Sequence, residues 1–180
     1  MVLEESLVIA QVRSGNTDAF AVVVEHFQAP IQRYLYRFTG DYELAKDLTQ
    51  DTFIQAYKSI RKTNSELSLK AWLYRIATNN AYQYYRRKRL ISFIPFSSLK
   101  KEIEKSIADY AVDTTETMAI QEALFKVPEE QRVCLVLHLI EGFRYREIAE
   151  TMGISEDAVR MRVARAKEAF RRFYLGGDVR

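Results

Sequence analysis

Residues 145–173 read "YREIAETMGISEDAVRMRVARAKEAFRRF", and this stretch decides the fold. Counted from Tyr145, Ala149 is the fifth residue, Gly153 the ninth and Val159 the fifteenth. Where two helices cross closely, the fifth position has room only for a small side chain. The ninth opens the turn, where glycine accepts a positive φ, and the fifteenth anchors the second helix. Ser155 supplies an N-cap, and Glu156 and Asp157 put acids in the first turn, where the helix dipole favours them. The spacing predicts a helix-turn-helix. A plain helical hairpin within a core is the competing reading.

On a wheel of about 100° per residue, Val159, Val163, Ala166, Phe170 and Phe173 gather on one side of the second helix, the core face. Opposite lie Asp157, Met161, Ala164, Arg165 and Arg172, with Arg160 and Arg162 on the flanks. A recognition helix sets its N-terminal outward residues against base edges while flanking bases hold phosphates. Arg165 suits a bidentate bond to guanine, and Met161 or Ala164 suits a thymine methyl. Arg171 and Arg172 read equally well as solvated surface near a helix end.

A second informative stretch is "LKAWLYRIATNNAYQYYRRKRL", residues 69–90, with five aromatic residues, six bases and no acid. Its wheel puts Leu73, Ile76, Ala77 and Tyr84 on a core face. Arg75, Asn79, Tyr82 and Arg86 form a stripe on the other side, bordered by Thr78, Tyr85 and Arg89. Trp72 lies at the boundary, and Asn80 falls within the core face as a buried, hydrogen-bonded residue. Guanidinium, amide and phenol groups in one stripe suit nucleic acid with exposed bases: rings stack, Asn bonds base edges and Arg neutralises phosphate. The competing reading is a solvated basic helix whose tyrosines pack under a neighbour.

Around these stretches the 180 residues are helical in pattern, with 48% apolar and 28% charged residues, three prolines and six glycines. A first short helix should end near Gly15. Thr17 or Asp18 should cap a second, which Pro30 should kink or split. Gly40-Asp41 gives a stop and an N-cap for "YELAKDLTQDTFIQAYKSI", with Leu44, Leu48, Phe53 and Ala56 on or near its buried side. "RKTNSELS" is a polar loop, and Ser68 or Ser65 should cap the helix that follows. The expected architecture is all-α: a helical domain over 1–90, a linker over 91–115 that can carry a short helix, and a helix-turn-helix domain over 116–180.

Charge is unevenly spread. Residues 67–101 carry eight bases and no acids, 102–130 carry eight acids and two bases, and 131–180 carry ten bases and seven acids. Two basic blocks separated by an acidic one imply two contacts with polyanion and a spacer between them. The single cysteine, Cys134, sits in the apolar run "VCLVLHLI", fits a reducing compartment and reads as core. The start, "MVLEESLVIAQVRSG", lacks a basic signal-peptide region, and no stretch has the ~20 apolar residues that span a bilayer. A cytoplasmic protein without membrane insertion is expected.

The order of motifs resembles the extracytoplasmic-function (ECF) class of bacterial RNA polymerase sigma factors. "AKDLTQDTFIQAY", "LKAWLYRIATNNAYQYYRRKR" and "LFKVPEEQRVCLVLHLIEGFRYREIAETMGISEDAVRMRVARAKEAF" carry the resemblance, which spans nearly the whole chain. It implies that 1–90 is a sigma-2-like domain that binds the promoter −10 element and helps open it, and that 116–180 is a sigma-4-like domain that binds the −35 element as duplex. The −10 contacts it implies are Asn64, Ser65, Trp72, Arg75, Asn79, Tyr82, Arg86, Arg87 and Arg89. Asn64 and Ser65 belong to a loop that helps capture a flipped base, whose extrusion costs a few kcal/mol. The −35 contacts implied are Tyr145, Arg146, Asp157, Arg160, Met161, Arg162, Ala164 and Arg165. Asp47, Leu48, Gln50, Asp51 and Phe53 match the helix that docks on the clamp of the polymerase's largest subunit. The flap of the second-largest subunit is a further implied partner, as is an anti-sigma protein. The acidic segment 102–130 would mimic nucleic acid in a basic channel. Met161 stands where the family often has a small or hydroxyl residue, and the basic run at 86–89 lacks the acid often found before it; both bear on promoter preference.

A conventional helix-turn-helix regulator with an N-terminal sensing or dimerisation domain is the alternative, although such a domain needs neither the basic aromatic helix nor the clamp-like one. An enzyme acting on nucleic acid would need clustered carboxylates for metal ions; the acids here are scattered. His26 and His138, the only histidines, read as structural. No catalytic residue, metal site or cofactor is expected.

Overall fold

A computed structural model describes residues 5–62, 68–91 and 115–176 of the chain. Among the described residues the regular structure is helical: α1 (Glu5–Arg13), α2 (Thr17–Thr39), α3 (Tyr42–Ser59), a 3-10 turn (Ile60–Lys62), α4 (Leu69–Ile91), α5 (Thr115–Lys126), α6 (Glu129–Leu139), α7 (Tyr145–Met152) and α8 (Glu156–Tyr174). Two compact units form, Met1–Leu35 with Glu43–Ser92, and Tyr36–Tyr42 with Phe93–Arg180. Most of the expected linker lies outside the described residues.

In the first unit, α2 is capped by Asn16, not by Thr17 or Asp18: its Oδ1 accepts from the backbone N–H groups of Asp18 (3.0 Å) and Ala19 (3.3 Å). Asn is among the best N-cap residues, and one residue earlier it reaches both orphan donors. Pro30 does not split α2, which is one helix through that position. The missing hydrogen bond and the ring's steric conflict cost roughly 3 kcal/mol. Burial of Phe27, Ile31, Tyr34 and Leu35 on either side of the proline offsets it. The core joins these to Ala45, Leu48, Phe53 and Ala56 of α3 and Leu69, Leu73, Tyr74, Ile76, Ala77 and Ala81 of α4. α1 buries Ile9 and Val12 and packs against the 3-10 turn, where Ile60 is fully buried.

In the second unit, α8 packs on α5, α6 and α7. Val159, Val163 and Ala166 are buried, as the wheel predicts, while Phe170 and Phe173 are half-buried. Ser155 Oγ accepts from Ala158 N at 3.2 Å, so the expected cap is made. Gly153 takes φ 65° and its N–H bonds back to Ala149 O, which closes α7. Ala149 and Val159, the crossing and anchor positions, are buried. Within this unit Gly40 needs its missing side chain, because a Cβ would lie 2.7 Å from the Phe125 ring. Arg132 is buried there and donates to Phe125 O and Phe38 O, both at 3.1 Å.

A Cβ on Gly153 would meet nothing within 4 Å, so a substitution there tests backbone conformation alone. Gly153→Ala is expected to lower stability by about 1–2 kcal/mol, and Gly153→Asn by less. Urea denaturation of the two variants checks the order.

Candidate nucleic-acid interface

α4 starts after Ser68, whose Oγ accepts from Ala71 N at 3.4 Å, so Ser68 is the cap of the two candidates. Its buried arc is broad, taking in Leu73, Tyr74, Ile76, Ala77, Thr78 and Ala81. Arg75, Asn79, Gln83, Arg86 and Arg87 are exposed on the remaining side. Two members of the expected outer face move inward. Thr78 is 1% exposed and back-bonds to Tyr74 O at 2.7 Å. Tyr82 is half-buried with its hydroxyl oxygen enclosed, so Gln83 holds that place in the polar stripe. Trp72 is half-buried at the boundary. Asn80 is half-buried and its Nδ2 donates to Thr52 Oγ1 at 3.4 Å, as an internal residue would. Lys70 lies over the Tyr74 ring, and Tyr84 and Tyr85 meet edge to face at 5.6 Å. Asn64, Ser65 and the side chain of Arg89 lie outside the described residues.

On α8, Asp157, Arg160, Met161, Ala164 and Arg165 are exposed, Met161 by 52%. Arg160 pairs loosely with Glu156 at 3.8 Å. Arg165 lines a groove of about 350 Å³ that also includes Lys126, Glu168 and Arg172. Arg162 goes elsewhere: it is half-buried and pairs with Glu130 of α6 at 2.6 Å. Its guanidinium ties the recognition helix to the domain. Beside it, burial pushes the Cys134 thiol above its usual range, an effect that Arg162 partly offsets. On α7, Arg146 is exposed and pairs with Glu150 at 3.1 Å. Tyr145 is half-buried, its ring 4.6 Å from that of His138, whose Nδ1 is 3.0 Å from Phe143 O.

α3 presents Asp47, Gln50 and Asp51 outward. The apolar members of the expected clamp set, Leu48 and Phe53, are 5% and 8% exposed and belong to the core of the first unit. The exposed apolar side chains on this helix are Ile54 (52%) and Tyr57 (41%). Their spacing from Asp47, at i+7 and i+10, puts them on the same outward face. Elsewhere, in the second unit, Ile120, Leu139, Ile140, Phe170 and Tyr174 line an apolar groove of about 540 Å³ together with Lys167 and Arg171. Among the described residues no group of His, Cys, Asp or Glu is placed to hold a metal ion, and no helix is long and apolar enough to cross a membrane.

Comparison with known proteins agrees with this geometry. Residues 23–91 match Sigma-70 region 2, and residues 117–170 match Sigma-70, region 4. The chain is 30% identical to the ECF RNA polymerase sigma factor SigW of Bacillus subtilis (strain 168), over 91% of this chain and 93% of that one. It is 29% identical to the ECF RNA polymerase sigma-E factor of Haemophilus influenzae, over 92% and 93%. The solved structure of CnrH in complex with the cytosolic domain of CnrY superposes with a TM-score of 0.72 at 25% identity, covering 97% of this chain and 98% of CnrH. A chain that carries both sigma regions in this order, and is helical among its described residues, is a promoter-directing subunit of RNA polymerase. It belongs to the ECF RNA polymerase sigma factors. Its partners are therefore core RNA polymerase and promoter DNA. The match to region 2 leaves no place for a separate sensing domain in residues 23–91.

Sequence patterns alone passed over the exposed Gln83, Ile54 and Tyr57, and over Glu130 as the partner of Arg162. Gln83 lies one turn beyond Asn79, a signal the wheel contains. Glu130 carries none, since its partner is 32 positions away in sequence. Burial predicts a clear contrast on α3: Leu48→Ala and Phe53→Ala each lose about 2–5 kcal/mol of stability. Ile54→Ala stays within about 0.5 kcal/mol of the parent. Thermal or urea unfolding of the three variants checks it.

Proposed function

We propose that the two units divide promoter DNA between them. Unit one takes the −10 element as an opening strand and unit two takes the −35 element as duplex. The observation that carries this is the outward side of α4, where Arg75, Asn79, Gln83, Arg86 and Arg87 are exposed in a segment without acids. Guanidinium groups there neutralise phosphate, and the Asn79 and Gln83 amides bond to base edges that strand separation exposes. Trp72 at the boundary offers a ring face for an unstacked base. Asn64 and Ser65, which precede α4 in the sequence, and Arg89 complete the proposed −10 set.

In the second unit, Met161, Ala164 and Arg165 meet base edges in the major groove. Arg146, Arg160, Asp157 and Tyr145 flank them on the DNA side. Arg162 acts indirectly, by holding α8 on α6 through Glu130. Asp47, Gln50, Asp51, Ile54 and Tyr57 form the surface for the clamp of the polymerase's largest subunit, acids around two apolar anchors. The apolar groove of the second unit takes the flap of the second-largest subunit. An anti-sigma protein is a further proposed partner, supported by the complex that the relative CnrH makes with the cytosolic domain of CnrY. The chain acts by binding, without catalysis of its own, in the cytoplasm where RNA polymerase works.

Reconstitution with core RNA polymerase is the test. The protein should co-elute with core enzyme and direct initiation from a subset of promoters; failure at both sinks the reading. Replacing Arg75, Asn79 and Arg86 together with Ala should impair opening, read with permanganate, and leave −35 duplex binding intact. Arg165→Ala should do the reverse, costing about 1–3 kcal/mol at one base position. Ile54→Asp should weaken core binding without affecting isolated −35 binding.

A further inference from the structure

α4 has an unusual demand on its rotation about its own axis. Its buried arc includes Ala77 and Ala81, small side chains that interlock weakly with neighbouring helices. Apolar burial has no preferred direction, so it resists rolling poorly. Yet a roll of 20° at a radius of about 5–6 Å moves a surface atom by roughly 2 Å, enough to misplace the Arg75–Asn79–Gln83–Arg86 stripe relative to a DNA strand.

Two hydroxyls in the first unit supply direction. Thr78 Oγ1 gives its one proton to Tyr74 O at 2.7 Å, so the 2.7 Å bond it shares with Tyr34 of α2 is donated by the phenol. Thr52 Oγ1 of α3 likewise donates to Leu48 O, at 2.6 Å, and its free lone pair accepts from Asn80 Nδ2 of α4 at 3.4 Å. Thr78 and Asn80 are two residues apart, about 200° around the helix, with Thr78 at one edge of the buried arc and Asn80 toward the other, inside Ile76. One faces α2 and the other α3. Because the two bonds tie α4 to different neighbours at points far apart around its axis, a roll of the helix strains their geometry. Thr78 and Thr52 are 1% and 0% exposed, so water does not replace a lost partner at either.

We propose that Tyr34–Thr78 and Asn80–Thr52 are a register lock, and that these four are positioning residues for −10 recognition that touch no DNA themselves. The proposal rests on α4 reading the −10 strand.

The test is the double variant Tyr34→Phe with Thr78→Val in the full chain bound to core enzyme. It removes both hydroxyls of the stronger bond and keeps both shapes, so the melting temperature should stay within a few degrees of the parent. Opening, followed by 2-aminopurine fluorescence in the −10 strand, should fall about fivefold or more, the equivalent of about one hydrogen bond. Discrimination among −10 base substitutions should flatten, while core affinity and −35 duplex binding hold. Thr78→Ser, which keeps the oxygen, should restore opening when combined with native Tyr34. Parent-like opening and base discrimination in the double variant would overturn the lock. If that variant loses its helical circular dichroism, Tyr34→Phe alone, which deletes one oxygen, decides on the same readouts. A parent that opens no promoter at all would instead sink the −10 assignment on which the lock depends.

Discussion

Everything in the first unit follows from one constraint on α4: it must be buried deeply on one side and stay charged on the other. Internal ion pairs would stabilise it, but each would neutralise part of that charge. The chain solves this by leaving acids out of residues 67–101 altogether and anchoring the helix by apolar contact and uncharged hydrogen bonds. Leu69, Leu73, Tyr74 and Ile76 supply the burial, and Thr78 and Asn80 supply polar bonds that carry no charge. The basic side of α4 therefore faces outward with its charge available to a polyanion.

The second unit handles the same problem differently. Its recognition helix carries arginines on several sides, and the body of the domain sorts them. Arg162 is drawn to Glu130 on α6, while Arg165 remains exposed. A pair of this kind, partly open to solvent, adds at most about 1 kcal/mol to stability. Its effect on geometry is larger, because it ties α8 to α6 between the buried anchors Val159 and Val163.

Much of this organisation was legible before any coordinates. The helix-turn-helix came from Ala149, Gly153 and Val159, whose roles depend on local spacing, and all three sit where that spacing puts them. The Ser155 cap was legible for the same reason. Local signals misled where two residues could do one job, as with Asn16 capping α2 in place of Thr17 or Asp18. At Pro30 the split is not made: the penalty is local and real, but the residues on either side of it are buried and the helix runs through.

From the sequence come the class of fold, the two helical units, the helix-turn-helix and the acid-free segment that leaves one helix strongly basic. These rest on periodicity, capping and composition, which act over a few residues. Tertiary structure decided which side chains reach the surface where the wheel was wrong or silent: Tyr82 and Thr78 turn inward, and Ile54 and Tyr57 stand outward on α3. It also decided that Arg162 is a tether. A wheel assumes one buried face of ordinary width. The buried arc of α4 is wider, because helices flank it on two sides, and only their placement sets where the arc ends.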